Sequence, residues 1–247
     1  MTAMSDIWIK ERCIGATHYI RTITSRGPVG YMLNSENAKE KTGFTLDELM
    51  DPIVQKPFVM DVYKEFTPEE QREFNMITPF VDHSVNKDEE GKKIPSYGLS
   101  SYGYDVRLGR DFKFFKRVDQ VIDVCDFDPE ICEDVKNVDE IIMEPGDFVL
   151  GHTLERFVVP RDVMVIFMAK STIARCGLSC VVTPGEPGWE GYITIEMFNP
   201  TQLPIRVNSG IGVMQAMFFQ GNEPCAVSYA DRNGKYQGQG KTPVTPR

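Results

Sequence analysis

The residues whose types and spacing can do chemistry lie within Lys170–Asn199, KSTIARCGLSCVVTPGEPGWEGYITIEMFN. Lys170 and Arg175 set two cations around the hydroxyls of Ser171 and Thr172, a cluster suited to phosphate oxygens or to an oriented water. Taken alone, the same cluster also reads as a capped surface turn. Pro184–Gly191 is a rigid turn that presents Glu186 and Trp189. Alone it is a hairpin; beside Thr183 and Glu196 it forms one wall of a site where an aromatic face and fixed amides select a planar ring. Gly191–Asn199 alternates like a strand with two covered faces. An acid there is costly to bury unless it is partnered or working, so Glu196 is the residue to explain.

Other chemistries lack their residues. A zinc-dependent base deaminase needs a His or Cys beside a Glu and then Pro-Cys-x-x-Cys, but the three histidines, His18, His83 and His152, include no His-x-Glu. Cys176 and Cys180 have no second pair in register, so no zinc site is expected. Cys176 reads as a core residue, because no histidine lies near it to make it a nucleophile.

The elements that must position these groups fall into two textures. From Ser35 to about Phe74 the chain is charged and helical in composition, with helix starts at Thr45–Glu48 and Thr67–Glu70. After Pro79, short apolar runs separated by Gly, Pro and Asp predict strands over 104–108, 112–115, 121–124, 148–153, 155–159, 163–168, 179–183, 192–198, 205–207, 211–219 and 226–229. That spacing predicts a mainly β sandwich or barrel, with Ser171–Ala174 as a single helical turn. Asp123–Glu140, a run of acids around two cysteines, reads as a strand end and solvated loop. The domain reading is an N-terminal, partly helical extension at 1–75, a β domain at 76–240 and a tail at 241–247.

With 247 residues and 41% hydrophobic content, the chain can bury a full core. Its net charge of −9 argues against a nucleic-acid scaffold, while clustered cations can still hold a small anion. No apolar run approaches the roughly 20 residues of a membrane span, and the charged N-terminus does not read as a signal peptide. The expectation is a cytoplasmic protein whose six cysteines are free thiols.

Five segments in order, IPSYGLSSYGYDVRL (94–108), MAKSTIARCGL, VTPGEPGWEGYITIEMFN, GIGVMQAMFF and VSYADRNGKYQGQ, resemble the dCTP deaminases, relatives of the trimeric dUTPases. The resemblance covers about residues 76–240 and implies a dUTPase-like distorted β-barrel or jelly roll, with an inserted N-terminal helical segment. It implies a homotrimer with sites between subunits, dCTP as substrate, dUTP as product, dTTP as an inhibitor, and Mg²⁺ carried by the triphosphate. In this likeness Glu196 is the proton shuttle, Ser171 holds the attacking water, and Arg175 orients Glu196 or stabilises the adduct. Lys170, Thr172, Ile173 and Ala174 meet phosphates and water, while Thr194, Ile195 and Glu196 read the pyrimidine edge. Gln215 faces the triphosphate, and Tyr229, Lys235 and Gln239 belong to a C-terminal lid.

Two departures matter. The family's opening Met-Ser-Asp-x-Trp-Ile and its Met-Ile-x-Pro-Phe stand here at Met4–Ile9 and Met76–Phe80, separated by an insertion. Val181 stands where many relatives have His or Asn, which bears on dTTP feedback. In dUTPases an Asp at the position of Glu186 activates water for attack on phosphorus, while the residue at the position of Glu196 is apolar. Glu196 therefore favours deamination. Glu186 leaves open a bifunctional enzyme releasing dUMP and diphosphate. A shift to dCMP or a modified cytosine nucleotide, and a non-catalytic nucleotide sensor, are further alternatives.

Overall fold

Alternating small, branched and aromatic residues drive this chain into long antiparallel strands, because each strand can then give one face to a shared core. The computed structural model describes residues 2–13, 18–24, 27–33, 60–65 and 75–246. The chain begins with β1 (Thr2–Ala3), α1 (Asp6–Cys13), β2 (His18–Thr24), β3 (Gly27–Leu33) and β4 (Met60–Glu65). Next come β5 (Ile77–Thr78), β6 (Ser84–Lys87), β7 (Lys93–Ser100), β8 (Gly103–Arg107) and β9 (Phe112–Phe115). After a 3-10 turn at Pro129–Ile131 follow β10 (Cys132–Val135), β11 (Glu140–Met143), β12 (Phe148–Val158) and β13 (Val163–Ala169). The last are α2 (Ser171–Arg175), β14 (Ser179–Val181), β15 (Glu190–Phe198), β16 (Ile205–Asn208) and β17 (Gly212–Gln220).

Two six-stranded antiparallel sheets carry the body. One runs β1-β17-β8-β7-β6, with β13 on β17; the other runs β10-β9-β12-β15-β14, with β5 on β12. Buried side chains include Tyr104, Val106, Val165 and Phe218 from the first sheet, and Val149, Ile193, Ile195 and Met197 from the second. Each such aliphatic or aromatic group contributes roughly 1.5–3 kcal/mol by leaving water. β11 and β16 form a two-stranded sheet, and the inserted segment contains a three-stranded sheet, β3-β2-β4.

The sheets are tied at a bulge. Residues 148–158 form one strand, where the sequence suggests two separated at Leu154. Its register with β15 shifts between His152 and Arg156. Within the bulge, the Thr153 hydroxyl donates to the Glu155 carbonyl and accepts from the Ile193 amide, which satisfies backbone groups that the ladder leaves over. Glu155, 0% exposed, accepts from Arg107 Nε at 2.6 Å and from the Arg107 amide at 2.9 Å. The Arg107 guanidinium also lies over the Tyr97 ring, 4.8 Å from its centroid.

Several expectations change. Residues 121–124 pair with no strand and remain an exposed loop, because an apolar run without a neighbouring edge gains nothing by extending. Residues 226–229 form a turn held by Arg161 and Asp231. Met60–Glu65, inside the stretch read as helical, is a strand, and the hairpin β6–β7 escapes notice behind its lysines. The acidic run 123–140 holds the 3-10 turn and β10. The expected helix starts at 45–48 and 67–70 lie outside the described residues. Among the described residues no helix is long and apolar enough to cross a membrane.

The buried Arg107–Glu155 pair yields a stability prediction. Glu155→Ala leaves the guanidinium without its partner and should lower unfolding free energy by about 3–5 kcal/mol in a urea titration. Glu155→Leu combined with Arg107→Met should recover most of that loss. A single-variant cost below about 1 kcal/mol would mean that the pair behaves like a surface ion pair.

Candidate active site

β15 is hydrogen-bonded on both edges, with Glu196 opposite Leu150 of β12 and Val181 of β14, and Thr194 opposite His152. Ile193, Ile195 and Met197 enter the core, so strand alternation sends Thr194 and Glu196 to the other face. That face opens on a cavity of about 780 Å³. Phe115, Phe148 and Leu150 line one part of it, and residues 182–187 with Trp189 line another. One carboxylate oxygen of Glu196, Oε2, is buried and has no hydrogen-bond partner. Burial raises the Glu196 pKa, against a smaller opposing pull from its own backbone amide. A carboxyl group of this kind holds a proton more tightly than an exposed one, which suits a group that takes a proton and returns it. His152 is no rival base: burial favours its neutral form, Nδ1 lies 2.8 Å from the Thr153 carbonyl, and the ring stacks edge-on against Tyr192.

The Glu186–Trp189 turn is built from its sequence. The Trp189 amide donates to the Glu186 carbonyl, Pro187 takes the second position, and Gly188 has φ of +80°. This is a type II arrangement, which needs glycine at its third position. Mutual backbone bonds between Gly185 and Val165 fasten the turn to β13. Trp189 is mostly buried yet lines the cavity, and the Glu186 carboxylate forms an ion pair with Arg232.

The C-terminal segment already lies across this face. Gly191 permits the approach, since a Cβ there would meet the Gln239 backbone at 2.8 Å. The Tyr192 amide donates to the Gln239 carbonyl, and Gln239 Nε2 donates to the Tyr192 carbonyl at 2.8 Å and to Thr194 Oγ1 at 2.6 Å. Tyr229 Oη accepts from the Tyr236 amide, and both rings line the cavity. Val244 and Pro246, assigned by sequence to a tail, line it too. Lys235 is exposed and does not.

One chain therefore gathers Thr183, Glu186, Trp189, Thr194, Glu196, Tyr229 and Gln239 around one cavity. The Ile195 side chain, expected at the pyrimidine edge, is instead fully buried in the core and does not line the cavity, because alternation along β15 turns it away from the face of Thr194 and Glu196. Ser171, Thr172, Ala174 and Arg175 are exposed on α2, with Ile173 turned inward, and none of them lines the Glu196 cavity. Lys170 Nζ is ion-paired with Asp105 and donates to Ser96 Oγ at 3.0 Å; Gln215 Nε2 donates to Ser100 Oγ at 3.0 Å. Cys176 is exposed where a core position was expected, since it follows the last turn of α2 on its outer side. All six cysteines are free. No cluster of three or more His, Cys, Asp or Glu that could hold a metal ion occurs among the described residues. Phe115, Phe148, Leu150 and Tyr236 carry no local sequence signal for this site; strand pairing and the folded-back C-terminus bring them here.

Comparison with known proteins places this arrangement. A family model described as dCTP deaminase-like matches residues 73–221. A dCTP deaminase of Acidovorax sp. (strain JS42) is 50% identical over 165 residues, which cover 66% of this chain and 87% of that one. A dCTP deaminase of Halorhodospira halophila is 49% identical over 169 residues, covering 68% and 89%. A crystal structure of 2'-deoxycytidine 5'-triphosphate deaminase from Agrobacterium tumefaciens overlays with a TM-score of 0.45 at 17% identity, covering 59% of this chain and 44% of that one. The matched region spans both the strand that bears Glu196 and the helix that bears Ser171 and Arg175, and the chain belongs to the dCTP deaminase-like family.

Proposed function

We propose that this protein hydrolyses the 4-amino group of dCTP, converting dCTP and water into dUTP and ammonia. The observation that carries the reading is the half-buried Glu196, with an unpartnered carboxylate oxygen, on the wall of a cavity large enough for a nucleotide. Family membership and relatives named dCTP deaminase support the triphosphate over dCMP or a modified nucleotide. The presence of Ser171, Arg175 and Glu196 together speaks against a sensor without turnover.

The chemistry follows from the side chains. With the cytosine ring in the cavity, Glu196 takes a proton from water as its oxygen attacks C4, and passes protons to N3 and then to the amino nitrogen. The C–N bond breaks, ammonia leaves, and the C4 carbonyl of uracil forms. Ser171 fixes the attacking water, and Arg175 orients Glu196 and stabilises the tetrahedral adduct. In one chain these two residues lie on α2, away from the Glu196 cavity, which supports a homotrimer whose sites join α2 of one copy to the cavity of the next. The nucleotide would bring Mg²⁺ on its phosphates, which Lys170, Gln215, Tyr229 and Gln239 meet; the protein works in the cytoplasm, with dTTP as an inhibitor. Engagement of Glu186 by Arg232 supports dUTP as the final product, because the carboxylate that would have to hold a water at phosphorus already has a partner.

Glu196→Gln should lower ammonia release by roughly 10²–10⁴-fold while dCTP binding persists, since shape and most hydrogen bonding are kept. Substantial turnover by that variant would remove Glu196 from the mechanism. Product analysis of the wild type with dCTP and Mg²⁺ should show ammonia and dUTP in equal amounts and no diphosphate.

Burial raises the Glu196 pKa above its ordinary value of about 4.5, so proton binding favours the folded state and that contribution is lost as the pH climbs through the raised pKa. Thermal unfolding of Glu196→Gln and wild type should therefore diverge with rising pH, the variant becoming the more stable at neutrality, and converge below the ordinary pKa. A gap independent of pH would mean that the carboxyl group is not strained by burial. Mixing and co-refolding the inactive variants Glu196→Gln and Arg175→Ala should restore part of the activity, because some sites then combine two intact halves. No recovery would mean that the site lies within one chain.

A further inference from the structure

A second cavity, of about 750 Å³, lies behind α2 and has Thr172, Ile173 and Cys176 on its wall. Its interior is apolar, formed by Val85, Ile94, Tyr97, Leu178, Val207 and Ile211. Its rim carries Lys87, Lys92, Lys93 and Arg206 against the acids Asp88 and Glu89, a cationic excess on a chain whose net charge is −9. Lys87 and Lys93 face each other across the β6–β7 ladder, and Lys92 precedes Lys93. Like charges directly opposite on neighbouring strands destabilise the pair unless an anion lies between them. Of the two acids at the rim, Asp88 is occupied by the Glu90 and Lys92 amides of the hairpin turn. Arg206, also on this rim, is already paired with Glu140. The cavity thus calls for an occupant that is apolar at its centre and acidic at its edge.

The same chain carries such a group beside the Glu196 cavity. Residues 116–126, between β9 and the 3-10 turn, are exposed throughout, with Val121 89% and Val124 86% accessible and Val118 and Ile122 also exposed. Asp119, Asp123 and Asp126 are interleaved with them. The loop is a held shape. Phe127 packs on Phe115 at 5.8 Å between centroids, Arg117 binds Asp147 and the Pro145 carbonyl, Gln120 binds Asp128, and Asp123 caps the Cys125 amide. An ordered display of large apolar side chains in water marks a contact surface. Phe115, under the loop, lines the Glu196 cavity.

We infer that the 116–126 loop of one copy inserts into the cavity behind α2 of a second copy, its valines on the apolar floor and its aspartates beside Lys87, Lys92 and Lys93. The contact is head-to-tail, since knob and socket are different surfaces of one chain, and repetition around an axis closes it into a ring. It rests on the reading that the site is shared between copies, and explains how: the socket is backed by the helix bearing Ser171 and Arg175, and the knob stands beside Glu196, so seating one brings the other two together.

The test uses the full chain with Val121→Glu and Val124→Glu combined. Both side chains are exposed, so circular dichroism should be unchanged, while sedimentation should shift to single-chain mass and ammonia release should fall more than about tenfold. Lys87→Glu with Lys93→Glu should reproduce both losses from the socket side. A loop variant that stays assembled and active overturns the docking surface. So does a loop variant that dissociates while the lysine variant stays assembled, because the loop then docks elsewhere. Recovery of activity on mixing Glu196→Gln with Arg175→Ala, alongside an undisturbed loop variant, leaves the shared site standing and removes only this contact; absence of recovery removes the shared site itself.

Discussion

The register of β15 is the constraint on which everything else hangs. A strand's side chains alternate, so a slip of one residue would exchange its faces, driving Glu196 into the core and Ile195 into the cavity. Three features hold the register. Ile193, Ile195 and Met197 are matched to the apolar interior, β12 and β14 pair with both edges, and the β12 bulge accepts the Ile193 amide through Thr153 Oγ1. The bulge in turn carries Glu155, whose bonds to Arg107 join the second sheet to the first. An exposed carboxylate could tolerate a loose support. A half-buried one with an unpartnered oxygen cannot, because its energy changes with small displacements in a medium of low polarity.

Around that strand the chain closes its own cavity. A type II turn brings Trp189 against it, and the C-terminal segment runs beside Gly191 where no side chain could stand. Gln239 then places one amide on both Tyr192 and Thr194. The lid expected from a glycine-rich, polar composition is in this structure a packed strap. It leaves Thr194 Oγ1 already bonded, so a pyrimidine edge that needs this hydroxyl meets a group oriented in advance.

What could be read from the sequence was what local chemistry determines. The turn at 184–191 announced itself through Pro and Gly, the strand at 192–198 through alternation, and the short helix through Ser171–Arg175. Glu196 was legible because an acid in such a strand breaks the local pattern. Contacts distant in sequence were hidden. Phe115 and Phe148 reach the cavity only through the β9–β12–β15 order, and Val244 and Pro246 only because the C-terminus folds back. Two differences share a cause: the apolar run Val121–Val124 reads as a strand, and Cys176, with no histidine near it, reads as core. An apolar residue has no fixed destination until the partner that covers it is known.

In the proposed shared site, the charged groups of the two halves are in unequal states, and the inequality says what assembly would do. Lys170 is half-buried against Asp105, so a phosphate oxygen reaching it would exchange one anionic partner for another and gain little, while Glu186 is already engaged by Arg232. Arg175 stands exposed on α2 with no ion pair among the described residues, and Glu196 is desolvated with an oxygen unpartnered. One group keeps its hydration and the other has lost it. Bringing that cation to that carboxylate removes a penalty on the Glu196 side and adds a charge-assisted bond in a cavity where such a bond is strong. Within a single chain, burial pushes Glu196 toward its protonated form; a guanidinium brought beside it would draw its proton affinity back down. In the proposed shared site, completing the site and lowering the proton affinity of Glu196 are then one event.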